Sequence, residues 1–423
     1  MKQKNSILFL IPVLCMLIPG ILFAGPGAEK SAGKQKLVMI FSAGGSGNAL
    51  KAAAERFSRE SGIEVEVLLF PVNETYEKEV LALNSRQGTP DIIAMDDTWF
   101  ASMWRYLDPL TFDKNFLDGF VPSMLESFNY EGKQYAIPVR MGGEVIIYRE
   151  DVMKEAGIDP LTLTSWEKIY EAGLKLKNPR QNIYSWVGGY NSPSYLVSRW
   201  QNIICSYGVR VFSPDMKKFA FNTPEGVRAT EMFVKILKDL ASPGILSYGF
   251  AEEVEALQTG TAVMGQLWTA RWASVDSPKF PFSGKFKVLP FYPYGENSGL
   301  SNGVTMVTGW GLGVNRFSKN KEAAIAFLKY IGSFDEQLRL AVENSNSPVV
   351  SKVFDHPDYI KAVPVAKDMQ AAVRNGGERP MHVRWNEIEA AIGLNLEKAV
   401  VGMMTVPEAL QAAERDALKI LNE

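Results

Sequence analysis

At 423 residues, with 45 Lys and Arg against 47 Asp and Glu, the chain carries a formal net charge of −2. That balance excludes the basic surface needed by nucleic acid or an anionic membrane face. Two histidines and two cysteines leave little for a zinc site, a Ser–His–Asp triad or a disulfide framework, and the length exceeds one hydrophobic core, so two domains are expected.

Lys2 and Lys4 precede an apolar run over 7–23 that is broken by Pro12, Pro19 and Gly20 and followed by the small residues Ala24 and Gly25. This pattern reads as a secretory signal peptide over 1–24 rather than a membrane span, which needs about 20 unbroken apolar residues. Cys15 lies inside the run behind Leu14; a lipoprotein signal wants a small residue there, which disfavours a lipid anchor. Residues 25–35 are small and polar and read as a flexible tether. Only Cys205 remains beyond the signal, so the mature chain has no internal disulfide and an extracytoplasmic location is expected.

Strands are predicted over 36–41, 63–70 and 90–95, with helices over 48–61, ending at Gly62, and over 76–85. This βαβαβ order implies a parallel sheet with helices on both faces. Ligands of such sheets sit beyond the carboxyl ends of the strands. That puts the loop with Gly45 and Ser46, and the segment Asp96-Asp97-Thr98-Trp99, on one rim. The glycine loop fits neither Rossmann nor P-loop spacing and reads as a strand-to-helix turn whose N–H groups can meet a ligand oxygen. One of Asp96 and Asp97 is expected to cap a helix over 98–106. The other faces the rim beside Trp99, and a carboxylate next to an aromatic face suits a polyol.

Arg140 and Glu144 flank Gly142-Gly143. An exposed pair contributes only about 0–1 kcal/mol, so a ligand role explains both better than stability does. Trp186, Trp268 with Arg271, Trp310 and Trp385 are assigned to loops or strand ends on the rim. Trp310 stands in Gly309-Trp310-Gly311-Leu312-Gly313. Glycine inside a strand marks a close approach to the backbone. A bare indole offers a flat apolar face and one N–H donor, as a sugar ring would use; the alternative is a core Trp in a Gly-rich strand. Ser318 reads as the N-cap of the helix that follows.

The segments Tyr135-Ala136-Ile137-Pro138, Tyr148-Arg149-Glu150-Asp151, Ser165-Trp166-Glu167, Phe221-Asn222-Thr223-Pro224, Gly260-Thr261-Ala262-Val263-Met264 and Trp385-Asn386-Glu387-Ile388 follow one another in an order that resembles the extracellular solute-binding proteins of ABC importers. The resemblance is to the sugar-binding family that includes the maltose-binding protein, and it spans essentially the whole mature chain. It implies an α/β, two-lobed periplasmic-binding-protein fold, each lobe a mostly parallel sheet flanked by helices, joined by crossing strands. The N-terminal lobe would be 36–140 plus 290–333 and the C-terminal lobe 141–289 plus 334–423. Two departures from the family pattern stand out: Thr308-Gly309 replaces a pair of glycines before Trp310, and Gly142-Gly143 loosens the first crossing.

The implied function is capture of a saccharide or polyol in the interlobe cleft by a monomer, with delivery to a membrane permease and with neither cofactor nor catalysis. The expected ligand contacts are Gly45, Ser46, Asp96, Asp97, Trp99, Arg140, Glu144, Trp186, Trp268, Arg271, Trp310 and Trp385, and the expected ligand is neutral. Two other functions compete. A glycosidase would use two of Asp96, Asp97 and Glu144, although no known hydrolase signature is present. A binder of charged solutes would use Arg140, Arg271 and Arg384 for a phosphate ester, or Asp96 and Asp97 with Trp99 for a polyamine.

Overall fold

The computed structural model describes residues 35–344, 347–374, 376–380 and 382–422. The expected signal peptide and all of the expected tether except Gln35 lie outside the described residues. The first strand, β1 (Lys36–Ser42), is buried along most of its length, as expected for a strand covered on both faces. It pairs in parallel with β2 (Glu64–Phe70), from Lys36 opposite Glu64 to Ser42 opposite Phe70, and with β3 (Ile92–Asp96) on its other edge. Between them run α1 (Gly45–Ser61) and α2 (Val72–Asn84). α1 starts three residues earlier than the periodicity suggests. A Cβ on Gly47 would lie 2.3 Å from the Ser42 carbonyl, so glycine lets the helix begin directly against the end of β1. Gly62 ends the helix in the left-handed region at φ 76, where glycine carries no Cβ penalty.

The remaining strands are β4 (Asn129–Tyr130) and β5 (Lys133–Gln134), which form a small hairpin, then β6 (Ala136–Arg149), β7 (Met264–Trp268), β8 (Phe286–Val288), β9 (Met306–Val314) and β10 (Gly377–Glu378). The main sheet runs β2-β1-β3-β9-β6-β7, with β10 on β9 and β8 on β6. β9 enters between β3 and β6 from far along the chain and is antiparallel to both, as β7 and β8 are to β6, whereas β10 joins β9 in parallel. β6 changes partner midway: Ala136 to Gly143 face β9, and Glu144 to Tyr148 face β7. The change occurs at Gly142-Gly143, where a loose crossing was expected. It is tightly packed instead, since a Cβ on Gly143 would lie 2.6 Å from Val373 Cγ1. No described helix is long and apolar enough to cross a membrane.

The glycines of β9 do mark a close approach, but by core side chains. A Cβ on Gly311 would meet the Phe128 ring at 2.7 Å, one on Gly309 would meet Met124 Sδ at 2.9 Å, and one on Gly313 would meet Leu107 Cδ1 at 2.9 Å. Alternation puts Trp310 and Leu312 on the opposite face. Gly311→Ala is therefore expected to lower unfolding stability by about 1–3 kcal/mol through overpacking, read as a shifted urea midpoint with an unchanged slope; an unshifted midpoint would mean Phe128 yields freely. Ser318 does not cap the following helix, Lys321–Ile331, whose N-cap position is held by Asn320. The Ser318 hydroxyl donates to Asp91 Oδ1 at 2.6 Å and accepts from the Asn320 N–H, so it ties the turn to the head of β3.

Candidate functional site

Strand register builds one wall. Asp96 on β3 stands opposite Trp310 on β9, and Trp310 stands opposite Arg140 on β6. Three adjacent strands thus set a carboxylate, an indole and a guanidinium in a row at the carboxyl end of β3. The indole is 3 % exposed. It packs against Phe41 at 4.9 Å and Trp99 at 5.1 Å, and the Arg140 guanidinium lies 5.5 Å above its ring. Trp99 is buried too, with Tyr76 at 5.0 Å on its far side.

Asp96 is the cap of α3 (Asp97–Met103), accepting from the Thr98 N–H and hydroxyl. Asp97 is buried and accepts from the Thr308 hydroxyl at 3.2 Å and the Gly309 N–H at 3.1 Å. One carboxylate caps the helix as expected, and it is Asp96; the other, Asp97, faces β9 inside the protein and not the rim. Arg379, one residue past β10, reaches both, at 2.8 Å from Asp96 and 3.5 Å from Asp97. Burial alone would raise both carboxyls. For Asp96 the Arg379 charge and the Thr98 bonds prevail and hold it below its ordinary value. Burial and then the Asp96 charge push Asp97 well above its own. The two carboxyls, held by one guanidinium, are thus pushed apart in opposite directions.

A second wall comes from elements far away in sequence. Trp268 ends β7 half-buried, and Arg271 closes the turn Thr269–Arg271 that follows. The Arg271 guanidinium lies 4.1 Å over Phe250, whose ring also packs Tyr195 at 4.4 Å. Tyr195 sits in the first turn of the helix Pro193–Ser206, where Ser192 accepts from its N–H. Arg140 feels the charges of Asp96, Arg271, Asp97 and Tyr195, and Tyr195 those of Arg271 and Asp96. The two walls are within electrostatic reach of each other.

Of the twelve residues singled out by sequence, the fold thus gathers Asp96, Asp97, Trp99, Arg140, Trp268, Arg271 and Trp310. Gly45 is exposed and Ser46 half-buried at the start of α1. Three lie elsewhere. Trp186 is 1 % exposed, packs Trp166 and donates to the Tyr190 hydroxyl, so it is a core residue and not a rim residue. Trp385 is equally buried, against Phe212. Glu144 is wholly buried and pairs with Arg199 rather than with Arg140; the same guanidinium meets Glu253 at 2.9 Å. All three are enclosed by other side chains and do not reach the surface. Arg384 turns to Glu387, away from the cluster.

Sequence reading missed Tyr195, Phe250 and Arg379. The first two open helices, and helix starts were predictable, but nothing local says which wall they join. Arg379 follows Gly376-Gly377-Glu378, a turn signal with no hint of its partners. Two cavities of about 710 and 730 Å³ lie elsewhere, one beside Leu338 and Lys361 and the other beside Tyr184 and Val401, and share none of these side chains. Among the described residues no group of His, Cys, Asp and Glu is placed to hold a metal ion. The carboxylates that a glycosidase would need are committed, Asp96 and Asp97 to Arg379, Thr308 and Gly309, and Glu144 to Arg199.

Glu389, on the helix Trp385–Val400, is buried near Arg379; burial, partly offset by that charge, pushes its carboxyl up to about 7 from 4.5. A raised carboxyl binds its proton more tightly when folded. Its contribution to stability is fully present below about pH 4.5 and is lost as pH rises through about 7, by roughly 3 kcal/mol at most. Glu389→Gln is expected to flatten the fall in melting temperature between pH 5 and 8. An identical fall in the variant would assign it to other groups.

A model of bacterial extracellular solute-binding proteins matches residues 43–338. A probable ABC transporter-binding protein of Deinococcus radiodurans is 23 % identical over 388 residues, covering 88 % of this chain and 90 % of that one. Maltose-bound MalE3 of T. maritima superposes with a TM-score of 0.84 at 26 % identity, over 91 % of this chain and 99 % of its own. A solute-binding protein of Agrobacterium radiobacter K84 in complex with ribitol gives 0.83 at 23 % identity, over 91 % and 98 %, which is a likeness of fold.

Proposed function

The chain belongs to the bacterial extracellular solute-binding proteins, and from that premise we propose that it is the substrate-binding subunit of an ABC importer that captures a saccharide or polyol. The family and its relatives are binding proteins rather than enzymes, and they work outside the cytoplasm. Export by the N-terminal signal, a monomeric mature form and delivery to membrane permease subunits complete the proposal. The lobes divide into 36–140 plus 290–333 and 141–289 plus 334–423. The partner change of β6 at Gly143 and Glu144 supports the first crossing.

The observation that carries the reading is the pair of walls. Asp96, Arg140 and Arg379 over a Trp310–Trp99 floor face Tyr195, Trp268 and Arg271. Hydroxyl-seeking groups beside aromatic faces match the alternating O–H and C–H surface of a sugar. The likeness to maltose-bound MalE3 supports the same ligand class.

The test is a thermal-shift screen of the mature protein against saccharides, polyols and, as a contrasting class, amino acids. A ligand bound only by the folded state at a hundredfold excess over Kd adds about 2.7 kcal/mol, so a saccharide or polyol is expected to raise the melting point by several degrees. A shift with amino acids alone would overturn the reading.

A further inference from the structure

Arginine pairing in and around the site is uneven. Arg379 is spent on Asp96 and Asp97, and Arg199 on Glu144 and Glu253. Arg140 and Arg271 form no ion pair and no hydrogen bond among the described residues. Arg140 Nε is shielded from solvent and has no hydrogen-bond partner. Each guanidinium instead lies over an aromatic ring, Arg140 over Trp310 and Arg271 over Phe250. A ring under the flat face holds the plane of the guanidinium and leaves its N–H edge free.

We propose that the site takes an acidic saccharide or polyol, whose single carboxylate or phosphate group is held by the free edges of Arg140 and Arg271 while its hydroxyls meet the Asp96–Arg379 wall. This rests on the saccharide reading above and names the subclass. The planar N–H fork of arginine matches both oxyanions, and such charge-assisted bonds are roughly twice as strong as neutral ones. The nearby carboxyls act on Arg140 and Arg271 only at a distance, through Asp96 and Glu253, and neither forms an ion pair with them. Asp96 and Asp97 are both engaged by Arg379. Glu253, pushed up to about 7 by burial, is already turned to Arg199. Burial outweighs the attraction of Asp96 and brings Arg140 down to about 10, and the Arg271 charge acts in the same direction as burial; burial also lowers Arg271, against the attraction of Glu253. An anion between the two guanidinium groups offsets the burial cost of both charges; a neutral hydroxyl accepts a hydrogen bond but leaves both charges standing.

The experiment is calorimetric titration of the mature protein with matched probes: glucose, galactose and mannitol against glucuronate, galacturonate, gluconate and glucose 6-phosphate, at low and high salt. The expected result is binding of an acid about ten- to a hundredfold tighter than its neutral counterpart, weakening as salt rises. The uronate and phosphate arms tell which oxyanion is used. Arg140→Gln and Arg271→Gln should each remove the preference for the acid without lowering the melting temperature, because each deletes a largely buried charge that has no ion-pair partner. Equal or tighter binding of the neutral probe, with no salt dependence, overturns this inference and leaves the saccharide reading intact. If amino acids bind and no saccharide does, acidic or neutral, the saccharide reading falls and this inference with it.

Discussion

Arg199→Gln is expected to cost the fold about 3–5 kcal/mol, the usual consequence of removing one partner of a buried ion pair. The Arg199 side chain is 1 % exposed and both its carboxylate partners are fully buried. Gln266 donates to Glu144 at 3.2 Å and to the Tyr292 hydroxyl at 2.8 Å, which extends the network across β6 and β7. Without the guanidinium, Glu144 and Glu253 face each other in a dry interior and must bind protons. Burial already raises both against the attraction of Arg199. The sign of the pH effect follows. Acidification should shrink the deficit of the variant, and raising the pH above 7 should enlarge it. The triple variant Arg199→Met with Glu144→Gln and Glu253→Gln should recover much of the loss, since a neutral, well-packed replacement leaves no orphaned charge. Urea midpoints across pH provide the measurement. A deficit below about 1 kcal/mol for Arg199→Gln would mean that water reaches the network.

Trp310→Ala is expected to lower stability by about 3–5 kcal/mol, the range for emptying a buried large aromatic position. The indole bridges Phe41 on β1 and Trp99 on α3 and carries the Arg140 guanidinium. Ligand affinity should fall as well, because Arg140 loses the surface that orients it. Trp310→Phe should keep most of the stability and part of the affinity. A Trp310→Ala protein of unchanged melting temperature that no longer binds would put the indole face directly against the ligand and out of the core.

What the sequence by itself determined is local. The apolar run over 36–41, the alternation over 63–70 and the stop at Gly62 fix elements because each depends on neighbours within a turn or two. The same holds for the parallel order of β1, β2 and β3 and for Asp96 and Asp97 at the carboxyl end of β3. The ordered motifs, spread along the chain, carried the family. The meaning of the β9 glycines was half legible: a missing Cβ announces a close approach, but Phe128 and Met124, not a ligand, make it. Only the tertiary structure decided which charges are spent. Glu144 has Arg140 four residues away and pairs with Arg199, because β6 changes partner between them, Arg140 lying against β9 and Glu144 against β7. Arg379 reaches Asp96 from 283 residues away. Pairing of this kind depends on which strand edges and helix ends meet in space. A side chain's distant partner leaves no trace in the spacing of its own segment, so it is the tertiary structure that gives Arg379 and Arg199 their carboxylates and leaves Arg140 and Arg271 without an ion pair among the described residues.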